Sequence, residues 1–240
     1  MIYTVGTKKL NIPETGTTRK SRTPRQVVPW RDVAETCRTL DVICKHIPLD
    51  KNKKIKIVDG IARAGFWGAV FQNHWPKCKL VLNEEDEKCN PALAVNYPKT
   101  LIINKNIHKW TPPISDISLL DFDHFTLRIL NQWKDVLTRW SPKAKYFIIA
   151  DGACFGFKFG NMKHYNIEHP EEYYYLLDKA IYKIIGKHIT VVSAFINAST
   201  ILLEDKKPRK IKYEPPSNLF LSRGCKIYKI NKEKKRSSLL

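Results

Sequence analysis

The sequence predicts a doubly wound α/β domain, a mostly parallel sheet with helices on both faces and an antiparallel edge. Three observations carry that expectation. Short apolar runs at 55–58 (IKIV), 79–82 (KLVL), 100–103 (TLII), 117–120 (ISLL) and 145–149 (KYFII) are separated by segments with helical spacing. Strands alternating with helices pair in parallel through right-handed crossovers. The runs are apolar almost without a break, as strands covered on both faces require. The first run then breaks into Asp59, Gly60, Ala62, Ala64, Gly65 and Gly68, a density of small residues that lets the backbone turn tightly into a helix.

Taken in order, residues 1–29 are rich in Thr, Pro, Lys and Arg and show little periodicity, which predicts a basic, partly disordered arm. From Trp30 to about Ile47, the residues Val33, Cys37, Leu40, Cys44 and Ile47 recur at three- and four-residue spacing, the pattern of a helix laid on a sheet, and Pro48 stops it. A helix over Gly65–His74 follows the first strand. A second opens at Asn90-Pro91, with Asn as N-cap and Pro at the first helical position. A third is expected over Phe125–Trp140, up to Ser141-Pro142. A fourth starts near Pro170-Glu171-Glu172, where acids suit the first turn, and runs to about Lys187. ITVVSAFI (189–196), STILLE (199–204) and CKIYKI (225–230) read as closing strands. Residues 30–205 thus form the domain, and residues 206–240 a basic C-terminal extension with room for a closing strand.

The formal charge of +19 over 240 residues is unevenly placed. Residues 1–31 hold seven Lys or Arg against one acid, residues 206–240 hold twelve against two, and the residues between hold 23 against 20. Basic ends on a balanced core point to a polyanionic partner, with nucleic acid ahead of an anionic membrane. Solvated, Lys-rich tails are the plainer alternative. Six cysteines stand without any C-x-x-C pair or matching histidine spacing, so neither a zinc site nor a disulfide framework is expected. A reducing, intracellular setting is the corresponding expectation. No stretch resembles a signal peptide or approaches the roughly 20 apolar residues that span a bilayer.

Two ligands compete for the glycine-rich turn. Gly60-Ile61-Ala62-Arg63-Ala64-Gly65 is a degraded G-x-G-x-x-G with Glu84 nearly 20 residues on, as a dinucleotide site has it. An acid ending the first strand suits a pyrophosphate poorly and the cationic methionine end of S-adenosylmethionine well. Glu84 or Glu85, after the second strand, would then hold the ribose hydroxyls. A tight strand–helix turn with no ligand is the third possibility. At the end of the fourth strand, Asp121 and Asp123 belong to the same crevice, since ligands of open α/β sheets lie beyond the carboxyl ends of the strands. There a carboxylate accepts a hydrogen bond from an exocyclic amino group and Phe125 stacks on a base; alternatively, one aspartate caps the helix near Phe125.

The residues Asp59-Gly60-Ile61-Ala62-Arg63-Ala64-Gly65-Phe66-Trp67, Asn83-Glu84, Asp121-Phe122-Asp123-His124-Phe125 and Ala150-Asp151-Gly152 resemble, over about 55–160, the tRNA guanine-N2 dimethyltransferase family and its short phage and bacterial relatives. The resemblance implies a Rossmann-like class I methyltransferase with S-adenosylmethionine as cofactor. By that similarity Asp59 and Gly65 line its methionine end, Glu84 its ribose and Asn106 the adenine edge, and the target is nucleic acid, RNA ahead of DNA; Gly60, Ala62 and Glu85 complete the expected cofactor-binding set. Asp121, Asp123 and Phe125 then hold the target base as catalytic residues. His124 and Thr126 stand where the family has Pro and Gly, so a non-catalytic nucleic-acid-binding or assembly module on the same fold is the alternative. Phe155, Phe157 and Phe159, alternating with Gly156 and Lys158, read either as a base-stacking platform or as a half-buried strand extension. Cys154 is a weaker candidate, as the nucleophile of pyrimidine C5 methylation.

Overall fold

In the computed structural model, residues 2–11, 44–87, 89–122, 130–151, 170–186, 189–196, 199–201 and 224–230 are described. Ten strands are present among them: β1 Ile2–Val5, β2 Lys8–Asn11, β3 Lys56–Asp59, β4 Lys79–Asn83, β5 Leu101–Ile103, β6 Ser115–Phe122, β7 Ala144–Asp151, β8 Ile189–Ile196, β9 Ser199–Ile201 and β10 Gly224–Ile230. The α-helices are α1 Phe66–His74, α2 Asn90–Asn96, α3 Lys134–Trp140 and α4 Pro170–Ile185. Eight strands make one sheet in the order β5-β4-β3-β6-β7-β10-β8-β9. The first five of that row are mutually parallel, and β10 runs antiparallel to both β7 and β8, which with β9 form the antiparallel edge. Chain order reverses at β3, whose two sides receive β4 and β6, and the carboxyl ends at such a switch point are where open α/β sheets place their ligands.

Strand alternation builds two cores. Ile57, Leu80, Leu82, Leu119, Tyr146, Ile148 and Ile227 face one side with α1, while Val58, Val81, Leu120, Phe147, Ile149 and Tyr228 face the other with α3 and α4. Burial on both faces is what the uninterrupted apolar runs require. β10 contributes one fully buried side chain to each core, Ile227 and Tyr228, so this part of the C-terminal extension is interior sheet.

Residues 2–11, expected within an irregular arm, form a β-hairpin instead. Gly6, at φ +58, opens its two-residue turn, and Val5 and Leu10 enter the core beside α1. Four residues per strand are too few to show a period in a sequence dominated by Lys and Thr. Lys8 Nζ donates to Gln72 Oε1 at 2.7 Å and lies 3.5 Å from the centre of the Tyr97 ring, and Asn73 Nδ2 donates to the Val5 carbonyl at 2.7 Å. The start of α2 also differs by a residue: Cys89 is its N-cap, and Asn90 and Pro91 are its first two residues. Of the helix expected over Phe125–Trp140, the described part is a 3₁₀ turn at Leu130–Trp133 running into α3. Most of the helix expected from Trp30 lies outside the described residues, which pick it up at Cys44.

Candidate cofactor and active site

Three acids stand at the carboxyl ends of three adjacent strands. Asp59 is the last residue of β3, Glu84 follows β4, and Asp121 is the penultimate residue of β6. Asp59 is opposite Leu82 on β4 and Leu119 on β6, so Glu84 and Asp121, each two residues farther on, share its strand parity. That parity faces α1, and the loop from Gly60 to Gly65 folds over the same ground. All three acids are buried, at 0%, 5% and 3% exposure.

Each acid meets the loop or helix differently. Asp59 Oδ1 accepts from the Ile61 N–H at 3.2 Å, while its Oδ2 is buried with no hydrogen-bond partner. Burial, and then the negative charges of Asp121 and Glu84, raise the Asp59 carboxyl well above its ordinary 3.8. Glu84 Oε2 accepts from the Arg63 N–H at 2.6 Å and Oε1 from the Asp86 N–H at 2.9 Å, so Glu84 braces the turn from beneath. Burial raises its carboxyl too, and these two N–H donors hold it back. Asp121 Oδ2 accepts from the Trp67 indole N–H at 2.6 Å, which ties the end of β6 to the first turn of α1.

The backbone of the turn is shaped by protein contacts. Arg63 (φ +49) and Gly65 (φ +85) are left-handed, and the Gly65 N–H closes the turn on the Ala62 carbonyl at 2.7 Å. A Cβ on Gly65 would stand 2.2 Å from Cε2 of Tyr97, whose hydroxyl donates to the Gly65 carbonyl. One on Gly60 would stand 2.5 Å from both Leu120 Cδ2 and Trp140 Cη2. The space these glycines leave is therefore filled by the protein's own side chains. Ala62, also expected at the cofactor, is buried and donates its N–H to the Asn83 carbonyl at 2.8 Å.

Neighbouring residues hold this arrangement. Asn83 Nδ2 donates to the carbonyls of Gly60 and Lys105, both at 3.0 Å, joining the turn to the segment after β5. Asn96 Nδ2 donates to the carbonyls of Ala64 (3.0 Å) and Asn11 (2.9 Å), joining it to the hairpin. Glu85 is exposed. Asn106 is exposed and caps a turn, its Oδ1 accepting from the His108 N–H at 2.9 Å. Asp123, Phe125, Cys154 and the 155–159 aromatic run lie outside the described residues. Burial pushes the thiols of Cys78 and Cys89 up to about 11 and about 12, so neither is a nucleophile near neutral pH.

The sequence assigned no role to Tyr97, Trp67 or Asn96. Their roles depend on a helix and a hairpin folding against the turn, and only Trp67, two residues past Gly65, stands near it in sequence. Among the described residues, no cluster of His, Cys, Asp and Glu is placed to hold a metal ion, and no helix is long and apolar enough to cross a membrane.

No protein-family model and no curated protein matches the sequence. Solved structures do match the fold. A protein from Pyrococcus horikoshii, described as a candidate RNA methyltransferase, superposes with TM-score 0.53 at 10% identity, covering 90% of this chain and 94% of its own. An S-adenosylmethionine-dependent methyltransferase from Clostridium acetobutylicum gives TM-score 0.53 at 9% identity over 84% and 93% of the two chains. A plantazolicin methyltransferase, solved with a pentazolic desmethylPZN analogue and SAH, gives 0.50 at 11% identity over 83% and 86%. Strand order, the antiparallel strand between β7 and β8, and these superpositions together show that the chain has the class I methyltransferase fold.

Proposed function

We propose that the protein is an S-adenosylmethionine-dependent methyltransferase that acts on nucleic acid, RNA before DNA, at an exocyclic base amino group. The buried, unpartnered Oδ2 of Asp59 carries the cofactor assignment. A buried polar oxygen without a donor is costly, and a cationic ligand with N–H groups satisfies it. Asp59 would hold the methionine end, Glu84 the ribose through the lone pairs its two backbone donors leave, and Asn106 the adenine edge. The fit rests on the acids, because Tyr97, Leu120 and Trp140 already occupy the room beside the glycines.

The bound cofactor supplies an electrophilic methyl group, and the chain's task is alignment. Trp67 fixes Asp121 through its indole N–H, leaving the carboxylate oriented at the strand end where a target amino group would donate to it. Asp123 and Phe125 complete the base site in this reading. The chemistry asked of the protein is positioning. Nucleic acid as substrate is supported by the excess of Lys and Arg at both ends of the chain.

One observation favours a second reading, a non-catalytic nucleic-acid-binding module: the glycine positions are packed by protein side chains as a relic pocket would be. Tritiated methyl transfer to total RNA and to DNA, with the modified nucleoside identified after digestion, separates the two. The methyltransferase reading expects a labelled N-methylated base and a loss of ~10²-fold or more in turnover for Asp121→Ala. RNA binding without transfer to either polymer would establish the second.

A further inference from the structure

The near balance of charge between the two ends of the chain conceals a segregation. Acids gather at the carboxyl ends of the strands, while the opposite end of the sheet is basic. Lys45, Lys51, Lys53, Lys54, Lys77 and Lys79 are all exposed on the segments that lead into β3 and β4. Lys56 and Lys79, the first residues of those strands, are paired in register. The two acids on these segments and the neighbouring strand start are engaged locally. Asp50 Oδ1 accepts from the Asn52 N–H at 2.9 Å, and Asp116 pairs with Lys145 at 2.6 Å while accepting from the Lys56 N–H at 2.9 Å.

Within this surface lies a cavity of about 590 Å³ between the β1–β2 turn, the C-terminal end of α1 and the segment before β3. Lys45, Lys51, Asn52, Asn73 and His74 line it, and no carboxylate does. Attraction to the helix dipole accounts for a histidine in the last turn of α1, but not for two lysines brought in from another segment. Cationic and amide donors around a concave site without acids suit a phosphate group.

We infer that this face is a phosphate-backbone docking surface for the nucleic acid, with the Lys45–Lys51 cavity seating one phosphodiester. The inference rests on the reading of nucleic acid as substrate. The cavity and the acid-lined turn stand at opposite ends of α1, roughly 13 Å apart along its axis at 1.5 Å per residue. A strand that touches both therefore wraps the hairpin side of the domain and contacts more than the target nucleotide.

The test is the salt dependence of binding of a fluorescein-labelled single-stranded RNA to the full chain, with S-adenosylmethionine binding followed separately by calorimetry. Lys45→Gln with Lys51→Gln is compared with Lys179→Gln with Lys183→Gln, which removes two exposed lysines of α4. The expected result is a fall of about 1.4 in the log–log salt slope for the first pair, about 0.7 per lost contact, with little change for the second and unaltered cofactor binding. Equal falls for both pairs would show diffuse charge and overturn the inference. An unchanged slope for the first pair in a chain that binds RNA would overturn the inference alone, and no RNA binding by the wild type would overturn it together with the nucleic-acid reading. Thermal stabilisation by inorganic pyrophosphate that the Lys45/Lys51 pair abolishes, without any change in RNA slope, would assign the cavity to a small phosphorylated ligand and also contradict the surface.

Discussion

Asp59 is the residue on which stability and function are opposed. Its carboxyl is raised above the ordinary 3.8, so above that value the folded chain retains a proton that the unfolded chain has lost. Stability therefore falls as pH rises through the window between the ordinary value and the raised one. Asp59→Asn should flatten that slope and raise Tm at neutral pH, by about 2–4 °C for each kcal/mol recovered, while abolishing binding of the cationic cofactor. Thermal melts from pH 5 to 8 on both proteins check the first half. Gly65 makes a separate case: left-handed backbone and the Tyr97 ring both oppose a side chain, so Gly65→Ala should cost about 1–3 kcal/mol from the backbone alone. Urea denaturation measures it, and a stability equal to wild type would mean that the turn is not held as described.

At the scale of elements, the hairpin and α1 decide whether the turn keeps its shape. Leu10 is fully buried, and Asn11 exchanges two hydrogen bonds with Asn96, which also holds the Ala64 carbonyl. Leu10→Ala should therefore destabilise the chain by about 2–5 kcal/mol and weaken cofactor binding together, as seen by melting and calorimetry. The sheet and the helices after β3 and β4 were legible because apolar runs and small-residue turns are local signals. The hairpin was not, since its two short strands are four residues each, carry two lysines and become structure only by packing on α1 and α2. The same distinction holds within the site. Asp59, Glu84 and Asp121 were legible from their place at strand ends, whereas Tyr97 and Trp67 act through contacts that no spacing in the sequence encodes.

Across the described residues, the sheet separates charge: buried acids at its carboxyl end and exposed lysines at the other. Under the proposed function a cationic cofactor and a polyanionic substrate use different surfaces, and salt should distinguish them. Binding at the buried acids should change little between 50 and 200 mM salt, while RNA affinity falls steeply, because buried charges are screened far less than exposed ones. Parallel titrations of the two ligands at both salt concentrations measure this. The central claim, that the acid-lined turn holds S-adenosylmethionine, is tested most directly by calorimetric titration of the wild type and Asp59→Asn in two buffers of different ionisation enthalpy. The account predicts saturable heat for the wild type in either buffer and no binding for Asp59→Asn. Absence of heat and of thermal shift at millimolar ligand in the wild type, or undiminished binding by Asp59→Asn, would contradict it.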